Sequence, residues 1–209
     1  MELYLIRHPK TAAPDGVCYG KGQSRARMMR RDPKTAAPDG VCYGQSEWPL
    51  AEDPEAVAAR LTPLLPEHFH LYSSPSERAA ELARALGRPS YDDRLLEIDF
   101  GEWEGVPFAT IDPELIARWA ANPFGFQPPG GESAAEMAIR ALEWWQETRE
   151  RRLDVDAIVV VGHAGPLKAI AGHLLGLPRE RWLALDFACS HATRIDVAPW
   201  GATLKWFNR

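Results

Sequence analysis

Four side chains stand where a chain that handles anions would put them: Arg7, His8, Arg78 and His163. Arg7 and His8 follow the apolar run Leu3–Ile6, and Pro9 behind them cannot extend a strand in a sheet interior. A short buried strand therefore delivers a cation and an imidazole to its carboxyl end, the edge at which open α/β sheets bind ligands. His163 falls in the same kind of place, between the β-rich run Ile158–Val161 and a predicted helix, where the first backbone N–H groups favour anions. Arg78 falls in the first turn of a predicted helix, where a cation opposes the helix dipole and an anion held nearby would account for it. Guanidinium groups grip phosphate through paired hydrogen bonds. An imidazole serves as a nucleophile at neutral pH when its other nitrogen is held by a hydrogen bond. Glu97, in an acidic and aromatic loop, is the candidate proton donor. Phosphoryl transfer asks little more of a protein than positioning and charge neutralisation.

The elements that must position these groups alternate along the chain. After the first strand, the apolar spacing predicts a helix over Glu52–Leu65 and a strand over His68–Tyr72. Ser76 is placed to cap a helix over Glu77–Leu86 that stops at Gly87. A short helix over Pro113–Ala121 and a long one from Ser133 to about Arg152 follow, with the stretch between Phe100 and Pro129 read as a lid over the sheet edge. Asp156–Gly162 has the continuous apolar character of a central parallel strand. It leads into a helix over Leu167–Leu175, and Thr193–Ala198 and Thr203–Phe207 form a last pair of strands. Strands and helices joined by long crossovers predict an α/β three-layer sandwich, a mostly parallel central sheet with helices on both faces. Trp144, Trp145 and His173 read as packing residues, His68 and His70 as structural or exposed, and His191 is left open.

A chain of 209 residues suits one domain over 1–209 with a substantial core. A net charge of −5 is the wrong sign for a nucleic-acid or anionic-membrane partner, so an anionic substrate must be caught by a local pocket. The three cysteines, Cys18, Cys42 and Cys189, show no zinc-ligand spacing and read as free thiols. The chain opens on a strand rather than a leader, and its apolar runs fall far short of the roughly 20 residues of a membrane span. The expected location is the cytoplasm.

The oddest feature is a repeat: Pro9–Gly20 and Pro33–Gly44 both read PKTAAPDGVCYG. Two loop-like copies do not make a solenoid. One copy with the basic spacer 21–32 reads as a 24-residue insertion by duplication, and either copy could take the original position. A basic flap that recruits phosphates and a solvated loop are the two readings of the spacer. A long hinge segment also leaves open a homodimer that exchanges this arm between protomers.

The motifs LIRHPKT, YSSPSERA, LLEIDFGEWEG, PPGGES and VVVGHAGPLKAI resemble, in order and spacing, the histidine phosphatase (phosphoglycerate-mutase-like) superfamily. RHPKT followed by GVCYGQSEWPL is most similar to its α-ribazole phosphatases of cobalamin biosynthesis. The resemblance implies a hydrolase that needs no metal and no cofactor and takes a small phosphomonoester. His8 would attack phosphorus and carry it as phosphohistidine. Arg7, Arg78 and His163 would hold the phosphoryl oxygens, and Glu97 would move the proton with a pKa raised by burial. Thr11, or its copy Thr35, would add a phosphate contact. Pro9 stands where the superfamily commonly has glycine, and the usual asparagine of that loop is missing. A broad-specificity phosphatase of the same fold is the near alternative. A non-catalytic phospho-ligand binder is the distant one, if the duplication displaces Thr11 or Tyr43–Ser46 from the pocket.

Overall fold

The computed structural model describes residues 1–12, 40–151 and 157–209. Residues 13–20 and 33–39 of the two repeat copies, the spacer between them, Thr35, Cys18 and Asp156 lie outside the described residues.

Six strands form one sheet in the order β3-β2-β4-β1-β5-β6. They are β1 (Glu2–Arg7), β2 (His70–Ser73), β3 (Ser90–Tyr91), β4 (Ala157–Gly162), β5 (Ala192–Ala198) and β6 (Gly201–Trp206). β3, β2, β4 and β1 run parallel, while β5 pairs antiparallel with both β1 and β6. The sheet is thus mostly parallel with an antiparallel edge.

The two faces of the sheet separate by alternation, as the pleat requires. Leu3 and Leu5 of β1 join Ile158 and Val160 of β4 in a cluster with Trp144, Trp145, Leu167 and Ile170. Those partners come from two helices, α4 (Ala134–Glu150) and α5 (Ala164–Leu174). Tyr4 and Ile6, with Val159 and Val161, pack on the opposite face against Val57, Leu61, Ala79 and Leu82. These belong to α1 (Pro54–Leu61) and α2 (Glu77–Leu86). The expected three-layer α/β arrangement is therefore present, and Trp144 and Trp145 are core residues as their sequence context suggests.

Helix boundaries differ from expectation where capping chemistry decides them. α1 starts at Pro54 rather than Glu52, because the Asp53 side chain accepts from Glu55 N–H and proline suits the first helical position. α5 starts at Ala164, three residues early, because Pro166 sits in the first turn, where a missing N–H costs nothing. β2 covers His70–Ser73, leaving His68 exposed before it. His173 is exposed on α5 and does not pack in the core.

The stretch after Phe100 builds a satellite core of its own. Trp103, Phe108, Ile111, Ile116 and Trp119 pack with Cys42, Met137 and Ala164, the first residue of α5. Helix α3 (Pro113–Ala121) supplies Ile116 and Trp119, and the Phe108 and Trp119 rings stack 5.9 Å apart.

Candidate active site

Sheet register brings the two histidines together. Arg7 at the end of β1 pairs with Gly162 at the end of β4, and His8 N–H donates to Gly162 O at 2.9 Å. His8 and His163 are therefore the next residues off two adjacent parallel strands, with ring centroids 5.1 Å apart. β2 lies on the other side of β4, and Ser74 N–H donates to Val161 O at 3.0 Å. That places the Ser74 hydroxyl 2.8 Å from His163 Nε2. Arg7, His8, Arg78 and His163 are all at most 4% exposed.

His8 Nδ1 lies 2.7 Å from Pro9 O. A carbonyl only accepts, so Nδ1 carries the proton and Nε2 keeps its lone pair. Burial, then the charges of Arg7 and Arg78, hold the His8 imidazole well below its usual range, against a smaller opposing pull from Pro9 O. Burial, then Arg78, His8 and Arg7, act the same way on His163. Both rings are thus neutral at pH 7, as a nucleophile must be. Ser74 Oγ accepts from Ser76 N–H at 3.3 Å, and we assign its hydroxyl proton to His163 Nε2. The His163 proton then sits on Nδ1, a buried atom with no hydrogen-bond partner among the described residues. This donor is suited to an anionic oxygen.

Backbone carbonyls orient both guanidinium groups, and Arg78 also pairs with the Glu47 carboxylate. Arg7 Nη1 donates to Phe187 O at 2.7 Å. Arg78 Nη1 donates to Ser46 O at 2.9 Å and Nη2 to Gly44 O, with Glu47 Oε2 3.6 Å from Nη1. Ser76 does not cap α2 with its own side chain, as its position predicted. Glu47 Oε1 instead accepts from Ser76 Oγ at 2.7 Å and from Glu77 N–H at 3.1 Å. That carboxylate complements the positive end of the helix.

Glu97 is buried, and both its carboxylate oxygens lie 3.2 Å from Gly165 N–H, two residues beyond His163. Only glycine allows this approach: a Cβ on residue 165 would stand 2.2 Å from Glu97 Oε1. Thr11 is also buried, with its hydroxyl 3.0 Å from the Tyr43 hydroxyl, and the Arg78 guanidinium lies over the Tyr43 ring at 5.9 Å. Thr11 belongs to the first repeat copy and Tyr43 to the second. The site thus uses the start of one copy and the end of the other. His191 keeps its ring on Cys189 O.

Three residues that sequence reasoning assigned no role shape this site. Glu104 accepts backbone N–H bonds from Gly44, Gln45 and Ser46 at 2.9–3.1 Å, and from Phe100 at 3.1 Å. Burial pushes this carboxyl up, but the Ser46 hydroxyl and the Gly44, Gln45 and Phe100 N–H groups outweigh it and hold it below the usual range. Arg140 donates to the carbonyls of Arg94, Leu96 and Glu97 at 2.9, 2.7 and 3.0 Å, clamping the turn that carries Glu97. Glu132, from the PPGGES motif, holds Arg140 through its Nε at 3.0 Å. The one available signal was their presence inside motifs or beside an amphipathic pattern.

The family model described as histidine phosphatase superfamily (branch 1) matches residues 3–209. Among curated relatives, phosphoserine phosphatase 1 of Hydrogenobacter thermophilus is 33% identical over 136 residues, 61% of this chain and 63% of that protein. A glucosyl-3-phosphoglycerate phosphatase of Mycolicibacterium vanbaalenii is 34% identical over 149 residues, 62% of this chain and 61% of its own. The chain thus spans about three fifths of the length of these relatives. The crystal structure of the α-ribazole phosphatase of Shigella flexneri superposes with a TM-score of 0.76 at 24% identity, covering 100% of this chain and 96% of that one. At that identity the likeness establishes the fold. Among the described residues, no helix is long and apolar enough to cross a membrane.

Proposed function

The chain belongs to the histidine phosphatase superfamily, and on that premise we propose that it is a phosphomonoesterase that works through a phosphohistidine at His8. In this reading His8 Nε2 attacks phosphorus while the ester P–O bond breaks, and the leaving oxygen takes the Glu97 proton to depart as an alcohol. Glu97, now a carboxylate, then takes a proton from water as that water attacks phosphorus. The N–P bond breaks, inorganic phosphate leaves, and His8 is neutral again. Arg7, Arg78 and the Nδ1–H of His163 neutralise the charge that grows on the phosphoryl oxygens. Thr11 lines the wall through Tyr43. The observation that carries the reading is the His8 Nδ1 contact to Pro9 O at 2.7 Å, which commits Nε2 to attack.

The substrate this reading favours is α-ribazole 5′-phosphate or a related cobalamin-pathway monoester. Pro9 beside the nucleophile and the segment Gly40–Leu50 support it. A broad-specificity phosphatase is the second reading, favoured by the different substrates that the two curated relatives are named for. The Thr11–Tyr43 contact, intact across the duplication, weighs against a non-catalytic binder. Comparing kcat/KM on α-ribazole 5′-phosphate, phosphoserine, glucosyl-3-phosphoglycerate and 3-phosphoglycerate tests the choice, in buffer containing a chelator. A clear preference for the first, undiminished by chelator, is the expected result. Equal rates on all would favour broad specificity, and mutase product from 3-phosphoglycerate would overturn the assignment.

A further inference from the structure

Glu52 and His8 lie at opposite ends of one peptide unit. Lys10 N–H donates to Glu52 Oε2 at 2.9 Å, and the carbonyl of that same peptide, Pro9 O, accepts from His8 Nδ1 at 2.7 Å. The N–H and C=O of a planar trans peptide point in opposite directions, so the two bonds lie in series and polarise each other. An anion at the N–H end makes the carbonyl a stronger acceptor for the imidazole proton.

The surroundings hold this line in place. The Ser190 hydroxyl donates to the same Glu52 oxygen, and Ser190 N–H reaches back to the carbonyls of Arg7 at 3.1 Å and His8 at 3.3 Å. Ser190 does so at φ 61°, in the left-handed region, and Arg60 Nη2 fixes its carbonyl at 2.9 Å. Strain of that kind in a buried non-glycine residue persists only where neighbours over-determine it. Ala51 N–H donates to Lys10 O at 2.7 Å, so the residue after the relay peptide is fixed as well. Burial pushes the Glu52 carboxyl up, but the Ser190 hydroxyl, Lys10 N–H and the charges of Arg60 and His191 outweigh it and keep the group ionised.

We propose that Glu52 is a positioning residue for phosphoryl transfer. Its charge, relayed through the Pro9–Lys10 peptide, holds the His8 proton on Nδ1 and stabilises the positive ring formed when Nε2 takes the phosphoryl group. A carboxylate in direct contact plays that part on the imidazole of serine proteases. Here a peptide stands between, and the carboxylate lies at the solvent edge, so the effect is smaller and screened by salt. The inference rests on the reading of His8 as nucleophile.

Glu52→Gln tests it, because glutamine keeps an acceptor for Lys10 N–H and removes the charge. With p-nitrophenyl phosphate as probe, phosphoenzyme formation at saturating substrate falls about two- to fivefold while KM stays within about twofold. Nitrogen NMR shifts show more of the His8 Nε2–H tautomer in the variant. In Glu52→Ala, added acetate restores part of the lost rate, since the site is open to solvent. Wild-type rate in both variants overturns the proposal. So does a loss accompanied by an unchanged tautomer and a lower Tm, which marks a purely structural role. If wild type forms no phosphohistidine, the nucleophile reading fails instead, and the tautomer comparison still decides the relay.

Discussion

Glu104 and Arg78 grip opposite sides of the same turn. Glu104 accepts the N–H groups of Gly44, Gln45 and Ser46, and Arg78 donates to the carbonyls of Gly44 and Ser46. A carboxylate from one motif therefore sets the guanidinium of another through a turn that both share. In Glu104→Gln the amide turns one donor towards N–H groups that all need acceptors. Stability falls by about 1–3 kcal/mol. Because Arg78 loses its register, the inhibition constant for inorganic phosphate rises together with KM, by about tenfold. Calorimetry and phosphate inhibition measure the two effects.

Gly165→Ala separates proton transfer from phosphate binding. The new Cβ would stand 2.2 Å from Glu97 Oε1, so the carboxylate must move while the arginine contacts stay. Hydrolysis of an alkyl monoester falls by about a hundredfold, and that of p-nitrophenyl phosphate, whose leaving group needs little protonation, by much less. Equal losses on both would remove Glu97 from the proton-transfer role.

Both histidines tie stability to pH. Burial and neighbouring guanidinium groups hold His8 and His163 below 6.5 in the fold, while the unfolded chain titrates near 6.5. As pH drops below that value the unfolded state binds more protons, so stability is lost. Above it their contribution is fully present. Thermal melts from about pH 8 to about pH 5 show this decline, and His8→Asn makes it shallower.

The duplication is predicted to be dispensable to the pocket. Thr11 and Tyr43 meet although they come from different copies. Removing residues 13–36 restores a single PKTAAPDGVCYG between Arg7–His8 and Gln45. It shortens the connection from Ala12 to Gly40 from 27 residues to 3, a gain of up to about 2 kcal/mol in loop closure. Activity of the shortened chain stays within about threefold of wild type. A larger loss, or a changed substrate preference, would give the inserted segment a role in the site.

The sequence made the fold and the positions of Arg7, His8 and His163 legible for one reason. Each follows an apolar run long enough to be a buried strand, so strand ends could be located and aligned. Arg78 was legible because a cation at a helix start contradicts local electrostatics. Glu104 was not, since three of its four backbone partners are 58–60 residues away and the stretch Asp92–Glu102 holds five other carboxylates, both ends included. Arg140 resembled any charged residue on an amphipathic helix, although it holds three carbonyls of the Glu97 turn. Long-range bonds to the backbone leave no local pattern, and that is what periodicity misses. Pro54 falls inside the helix expected over Glu52–Leu65, whereas Pro166 falls before the one expected over Leu167–Leu175, because a proline after two small residues looks like a break until its place in the first turn is seen.

The central claim is that His8 Nε2 takes the phosphoryl group. Rapid quench of wild-type protein with a radiolabelled monoester, followed by acid and base treatment, tests it most directly. An acid-labile, base-stable label mapped to His8, absent from His8→Ala, is the predicted result. Turnover of the monoester with no label, or a label that survives in His8→Ala, would contradict it.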